Sequence, residues 1–184
     1  SDVCSSDLER ELKLLINEKV YNELLHSYDF HNPITQTNTY FDTENQDVKK
    51  QRGAVRIRTI QDKKIFTLKI RKDEYTHYEF EKEISAENIN EIEDPEILNW
   101  FNQYQIPKNL HPTASFTTLR NVYAFENGEL CLDKTYYKNH TDYEIEYEYT
   151  SDHDGIHFFN SILEKYGLKW VKNCSSKIAR ALND

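Results

Sequence analysis

The stretch "ERELKLLI" (residues 9–16) sets Glu9, Glu11 and Lys13 at alternate positions and places Leu12, Leu14 and Ile16 between them. Successive side chains of a β-strand point to opposite faces, so this pattern reads as a strand with one charged face and one aliphatic face. Other segments repeat it. In "YEIEYEYT" (143–150) Glu144, Glu146 and Glu148 alternate with Tyr143, Ile145, Tyr147 and Tyr149, and in "YEFEKEI" (78–84) Glu79, Glu81 and Glu83 do the same. In "AVRIRTI" (54–60) Arg56 and Arg58 share a face, and in "IFTLKIRK" (65–72) Thr67, Lys69 and Arg71 oppose Phe66, Leu68 and Ile70.

Working outward, period-two patterning predicts strands at 8–16, 35–42, 53–61, 63–72, 75–84, 113–125, 128–138 and 141–150. Asp73-Glu74, Asn127-Gly128 and Asn139-His140 sit in short connections, so the neighbours they join pair antiparallel. Helical periodicity predicts helices at 17–28, near 86–103 with a break before Pro95, at 152–166 and at 174–182. Asp152 is the expected N-cap of the third helix and Gly167 its C-terminal stop. The expected class is α+β, with a predominantly antiparallel sheet.

Composition narrows the function. The chain has 184 residues, enough for a single domain with its own core. Thirteen Tyr and nine Phe suit a sheet-rich fold, and four Gly and four Pro leave little room for low-complexity segments. The start "SDVCSSDL", with no Met anywhere, marks residues 1–7 as a disordered or processing remnant, leaving 8–184 as the domain. No apolar run approaches the roughly 20 residues of a membrane span, and no signal peptide is visible, so the expected location is cytoplasmic. Cys4, Cys131 and Cys174 are odd in number and widely spaced, which fits neither a disulfide framework nor a thiolate zinc site. A net charge of −9 argues against nucleic acid or an anionic membrane as partner, while leaving room for a local basic cavity.

Two readings of the charged faces are open at this point. An antiparallel sheet commonly wets one face, where charges need no special account. Against that, whole strands here carry one sign, and like charges about 7 Å apart gain nothing from the arrangement. If strands of opposite sign closed into one barrel, they would make a polar interior in which acids hold metal ions and bases hold an anion. The apolar faces would then point outward and need helices as cover.

These residues resemble the CYTH domain, or triphosphate tunnel metalloenzyme, superfamily, in particular its small bacterial stand-alone members. The mark is E-x-E-x-K near the N-terminus, here Glu9, Glu11 and Lys13. The likeness continues in order through "NTYFDTENQDVKKQRGAVRIR" (38–58), "FTLK" (66–69), "LR" (119–120), "LD" (132–133), "EIEYE" (144–148) and "SKIARAL" (176–182). It implies a closed eight-stranded antiparallel tunnel with helices outside, and metal-dependent hydrolysis of a small-molecule triphosphate (inorganic, nucleoside or thiamine) with Mg²⁺ or Mn²⁺. By resemblance, Glu9 and Glu11 match the first metal-holding pair and Glu144, Glu146 and Glu148 the second set. Lys13, Arg56, Arg58, Lys69 and Arg120 match the residues that grip phosphate, with Lys69 also counted among the catalytic set. Lys177 matches a position capping the tunnel, Arg180 matches less closely, and Asp133 and Glu81 match supporting acids. Where many relatives have a basic residue, two positions before Asp133, this chain has Cys131. A monomer or homodimer is expected. Whether Glu79, Glu81 and Glu83 line the tunnel is open.

General chemistry agrees with that implication. A polyanionic chain needs several cations at fixed spacing, and Arg supplies planar bidentate donors where Lys acts as a point charge. Carboxylate oxygens suit Mg²⁺ or Mn²⁺ rather than Zn²⁺. Two rivals stand beside hydrolysis: a cyclase reaction on the same fold, yielding cyclic AMP and pyrophosphate, and a catalytically silent sensor of polyphosphate or nucleotides. The retention of both acidic sets argues against the sensor. His153 and His157 lie four apart but read as a surface helix pair, and Trp100 and Trp170 read as packing anchors more readily than as stacking platforms. No P-loop or Ser/His/Asp set is visible.

Overall fold

The computed structural model describes residues 7–184. Eight strands follow the chain: β1 (Asp7–Ile16), β2 (Ile34–Asp42), β3 (Gly53–Ile60), β4 (Lys63–Arg71), β5 (Thr76–Ile84), β6 (His111–Ala124), β7 (Gly128–Tyr136) and β8 (Thr141–Tyr149). They close in the order β1-β5-β4-β3-β2-β6-β7-β8, with every pair antiparallel. Each predicted strand is present within two residues. Residues 1–6 lie outside the described residues, and with them most of the expectation for 1–7; β1 itself begins at Asp7, which pairs with Glu79.

The apolar core lies outside this barrel, in two clusters. On one side Val55, Ile57, Phe66, Leu68 and Phe80 of β3–β5 pack under Ile97, Trp100 and Phe101 of α3 (Pro95–Gln103). On the other, Leu12, Leu130, Leu132, Ile145 and Tyr147 of β1, β7 and β8 pack under Tyr21 and Leu24 of α1 (Glu18–Ser27) and Phe159, Ile162 and Leu163 of α4 (Gly155–Leu163). The alternation therefore sends aliphatic and aromatic side chains outward beneath the helices and charged ones inward. Trp100 stacks on Phe66 with ring centroids 6.1 Å apart, and Trp170 is buried in the second cluster, so both are packing anchors.

Helix starts follow from local chemistry. Asn17 Oδ1 accepts from the Val20 amide at α1, and Asp94 Oδ1 accepts from the amides of Glu96 and Ile97 at α3, where Pro95 occupies the first turn. The expected helix at 86–103 is thus two pieces, a 3₁₀ turn at Ile89–Glu91 and α3. At α4 the cap is Asp154, not the expected Asp152: the Asp154 carboxylate accepts from the His157 amide, and Asp152 instead pairs with Arg10. Gly167, at φ 71°, ends the 3₁₀ turn Glu164–Tyr166 that extends α4. A four-residue helix, α2 (Asp47–Lys50), was not expected; the buried Asp42 carboxylate accepts from the amides of Val48 and Lys49 at its start. The last helix, α5 (Lys177–Leu182), is capped by Ser176.

β1 is shared unequally. Its first residues, 7–10, pair with β5, and residues 11–16 pair with β8. Where β5 diverges, the exposed edge of β1 is taken up by the segment after α4: Lys13 N donates to Asn173 Oδ1 (2.8 Å), Asn173 Nδ2 donates to the Glu11 carbonyl (3.0 Å) and Cys174 N donates to the Lys13 carbonyl (3.4 Å). Unpaired strand edges are costly when buried, and this segment supplies the missing partners.

Phe66, fully buried between Trp100 and Phe101, tests the external core. Phe66→Ala is expected to lower unfolding stability by about 3–5 kcal/mol, read by urea denaturation; a loss under about 1 kcal/mol would place the core elsewhere.

Candidate active site

The barrel encloses a cavity of about 800 Å³. Glu9, Glu11, Lys13, Arg56, Arg58, Lys69, Arg120, Glu146, Glu148 and Lys177 all line it, together with Glu79 and Glu81 of β5. Glu83, exposed near the end of β5, is not among the lining residues. The interior divides into three charge environments.

The first is acid-rich. Lys69 Nζ lies 3.2 Å from Glu9, 3.5 Å from Glu11 and 3.7 Å from Glu79, and Lys13 Nζ lies 3.0 Å from Glu11. Glu148 of β8 pairs in register with Glu11 of β1. Four carboxylates thus share two ammonium groups. The shortage shows in their proton affinities: burial and then the charges of Glu9 and Glu11 push Glu148 up to about 8, against the relief that Lys69 gives. Burial also raises Glu9, whereas Glu11, despite its burial, is held well below the usual carboxylate range by Lys13 and Lys69. Glu9 Oε2 and Glu11 Oε1 are buried without an aligned hydrogen bond, although both lie in ion-pair range of Lys69.

The second is base-rich. Arg58 Nε donates to Asn38 Oδ1 (2.8 Å), and among the described residues no carboxylate lies within ion-pair distance of it. Arg56 donates to Thr67 Oγ1 (3.1 Å) and stands 3.9 Å from Glu81. Burial and the neighbouring charges of Arg56 and Arg120 lower Arg58 to about 9. Tyr40 lies alongside, its phenol held below its ordinary value, against burial, by Arg56 and Lys69.

The third is internally neutralised. Arg120 grips Asp133 with two parallel bonds (2.8 and 2.7 Å) and reaches Glu146 (3.1 Å). Lys177 Nζ, brought in by α5, sits 2.8 Å from Asp133, 2.8 Å from Glu144 and 2.6 Å from Glu146. Arg180 binds Glu144 (2.7 Å) and Asp142 (2.8 Å). Asp133, Glu144 and Glu146 present oxygens close enough together to hold a cation, and the Lys177 ammonium occupies that position. The same cations hold Asp133 well below the usual range, against complete burial.

The pattern of inward-facing residues, quoted strand by strand in the sequence, is brought together here, but the partition into three environments is not visible in it. Glu144 stands apart from Glu9, Glu11 and Glu148, locked to Lys177 and Arg180. Sequence reasoning passed over Asn38, Tyr40, Asn173 and His77. Asn38 and Tyr40 were detectable by their period-two spacing in "NTYFD"; Asn173 lies in an irregular segment that gives no such signal. His153, far from these groups, hydrogen-bonds Tyr147 Oη, and His157 is exposed on α4.

The pH dependence of the acid-rich end can be worked out for metal-free protein. A carboxylate whose folded value, about 8, exceeds its unfolded value, about 4.3, contributes most to stability below the unfolded value and loses that contribution as pH rises toward the folded one. In EDTA the melting temperature of wild-type protein is therefore expected to fall more steeply between pH 5 and pH 9 than that of Glu148→Gln. Equal slopes would show that burial and the charges of Glu9, Glu11 and Lys69 do not act on Glu148 as described.

Comparison with known proteins agrees with this geometry. YjbK of Bacillus subtilis (strain 168), which bears the name "Putative triphosphatase YjbK", is 28% identical over 185 residues, covering 96% of this chain and 95% of that protein. A Bacillus halodurans crystal structure named as "a putative adenylate cyclase" superposes with a TM-score of 0.81 at 29% identity, covering 94% of this chain and 96% of the other. A Hippeastrum protein, named as a "putative adenylyl cyclase" that reveals a dominant triphosphatase activity, shares the fold with a TM-score of 0.76 at 22% identity over 96% of this chain and 95% of its own. The CYTH domain profile matches residues 7–180, and with the closed eight-stranded tunnel and its inward-facing acids and bases this shows that the chain belongs to the CYTH domain family.

Proposed function

We propose that this chain is a divalent-cation-dependent triphosphatase that binds a triphosphate inside the tunnel and hydrolyses its terminal phosphoanhydride. The observation that carries the reading is the imbalance of the first two environments: four carboxylates with two ammonium groups at one place, and Arg56 and Arg58 short of carboxylate partners at another. Such excesses cost stability unless a cation and an anion enter together. Glu9, Glu11 and Glu148 fit a hard divalent cation such as Mg²⁺ or Mn²⁺, since two of their buried oxygens lack aligned donors and their donor set is all oxygen. When bound, the cation would neutralise charge on phosphate oxygens.

The chain's own residues divide the remaining work. Arg56 and Arg58 offer bidentate donors to phosphoryl oxygens, and Lys69 and Lys13, already in contact with the acids, stand where the phosphate chain and the carboxylates meet. Asp133 fixes the plane of Arg120, and Glu144 with Arg180 anchors the helix that carries Lys177. In hydrolysis a water oxygen bonds to the terminal phosphorus, the bridging P–O bond breaks, and the departing diphosphate keeps the electron pair; the water's proton passes to a tunnel carboxylate. An adenylate cyclase reaction is a second reading, favoured by the name of the Bacillus halodurans relative and by Tyr40 and Phe116, which stack 5.6 Å apart on the cavity wall where a base could rest.

Phosphate release from inorganic triphosphate, ATP and thiamine triphosphate, with Mg²⁺, Mn²⁺ or EDTA, tests this. Metal-dependent release is expected, with Glu11→Gln losing at least about a hundredfold in kcat. Arg58→Ala is expected to lose about ten- to a hundredfold in kcat/KM, on the scale of a charge-assisted hydrogen bond. Cyclic AMP and pyrophosphate from ATP would favour the cyclase; undiminished turnover in Glu11→Gln would sink both readings.

A further inference from the structure

One side chain in the acid-rich environment is neither an acid nor a cation. His77 of β5 lines the cavity and sits directly across the β1–β5 ladder from Glu9, and across the β4–β5 ladder from Arg71. Side chains at paired antiparallel positions share a face and stand about 5 Å apart at their Cβ atoms. Its ring therefore joins the neighbourhood formed by Glu9, Glu11 and, one strand further, Glu148. The Nδ1 atom is buried and has no hydrogen-bond partner. Arg71, its neighbour across the β4–β5 ladder, donates its Nε to the Asp73 carbonyl. A buried imidazole nitrogen without a partner is unfavourable unless something else binds there.

We infer that His77 contributes a nitrogen ligand to the cation held by Glu9, Glu11 and Glu148, and that this biases the site toward a first-row transition ion such as Mn²⁺ over Mg²⁺. The inference rests on the proposed cation site and adds its preference. Mg²⁺ demands oxygen donors and keeps its waters, whereas imidazole is a good ligand for transition ions, so one nitrogen among carboxylates separates the two. Lys13 and Lys69 are held as ammonium ions by the acids they contact and supply no neutral nitrogen, and Cys174, which also lines the cavity, turns its Sγ to Glu144.

Pulsed electron paramagnetic resonance of Mn²⁺ bound to the full chain, alone and with pyrophosphate, reads nitrogen coordination directly, without turnover. A ¹⁴N coupling of a directly bound imidazole is expected in wild-type protein and is expected to vanish in His77→Gln. By equilibrium titration that variant should lose at least about tenfold in Mn²⁺ affinity, the scale on which even supporting partners matter at metal sites, with Mg²⁺ affinity nearly unchanged. Bound Mn²⁺ with no ¹⁴N coupling, or a coupling that persists in His77→Gln, would overturn the role of His77 and leave the triphosphatase reading standing. No bound Mn²⁺ in either condition would overturn both.

Discussion

Charge enclosed in a closed barrel has to be compensated within the barrel, and this requirement organises the molecule. A single strand such as β8, with Glu144, Glu146 and Glu148 on one face, gains nothing from its own pattern. The arrangement becomes tenable because the eight strands close on one another and bring basic strands opposite acidic ones. The compensation is deliberately uneven. Asp133, Glu144 and Glu146 are matched by Arg120, Lys177 and Arg180, while Glu9, Glu11, Glu79 and Glu148 outnumber Lys13 and Lys69. The matched region holds the C-terminal helix in place; the unmatched regions carry the charge excess on which the proposed function rests.

Inverting the barrel moves the stabilising core elsewhere. Apolar side chains of β3–β5 and of β1, β7 and β8 face two separate sets of helices, so hydrophobic burial holds the strands from outside. Residues inside are thereby freed from the packing constraints of an ordinary small barrel, at the cost of burying groups such as Glu144, which is fully shielded from solvent.

Much of this was legible because period-two alternation is strong wherever a strand separates charge from hydrocarbon. Strand positions, the inward faces and the antiparallel neighbours all follow from it. Short elements were not: α2 spans one turn and owes its start to Asp42, a residue of the preceding strand. In "SDHDG" two aspartates compete as cap, and tertiary contact decides, since Arg10 engages Asp152 and leaves Asp154 to the helix. Likewise the tunnel lining could be read strand by strand, but who pairs with whom could not. That Lys177 fills the gap among Asp133, Glu144 and Glu146 depends on a segment that first attaches to the edge of β1 through Asn173, a contact spanning 160 residues of sequence.

The unequal sharing of β1 has a consequence for how the protein comes into being. Glu9 and Glu11 belong to the first strand and Glu148 to the last, and the ladder joining them is the seam of the barrel. Contacts of such long sequence separation are slow to form, because the entropy of a large loop is lost before the pairing is gained. During synthesis β1 emerges long before β8, and until then its partners are confined to earlier strands such as β5 and to Lys69 of β4. Three of the four carboxylates and both ammonium groups come from β1, β4 and β5, so what the seam adds is Glu148, and closing the barrel and completing the acid-rich set are one event.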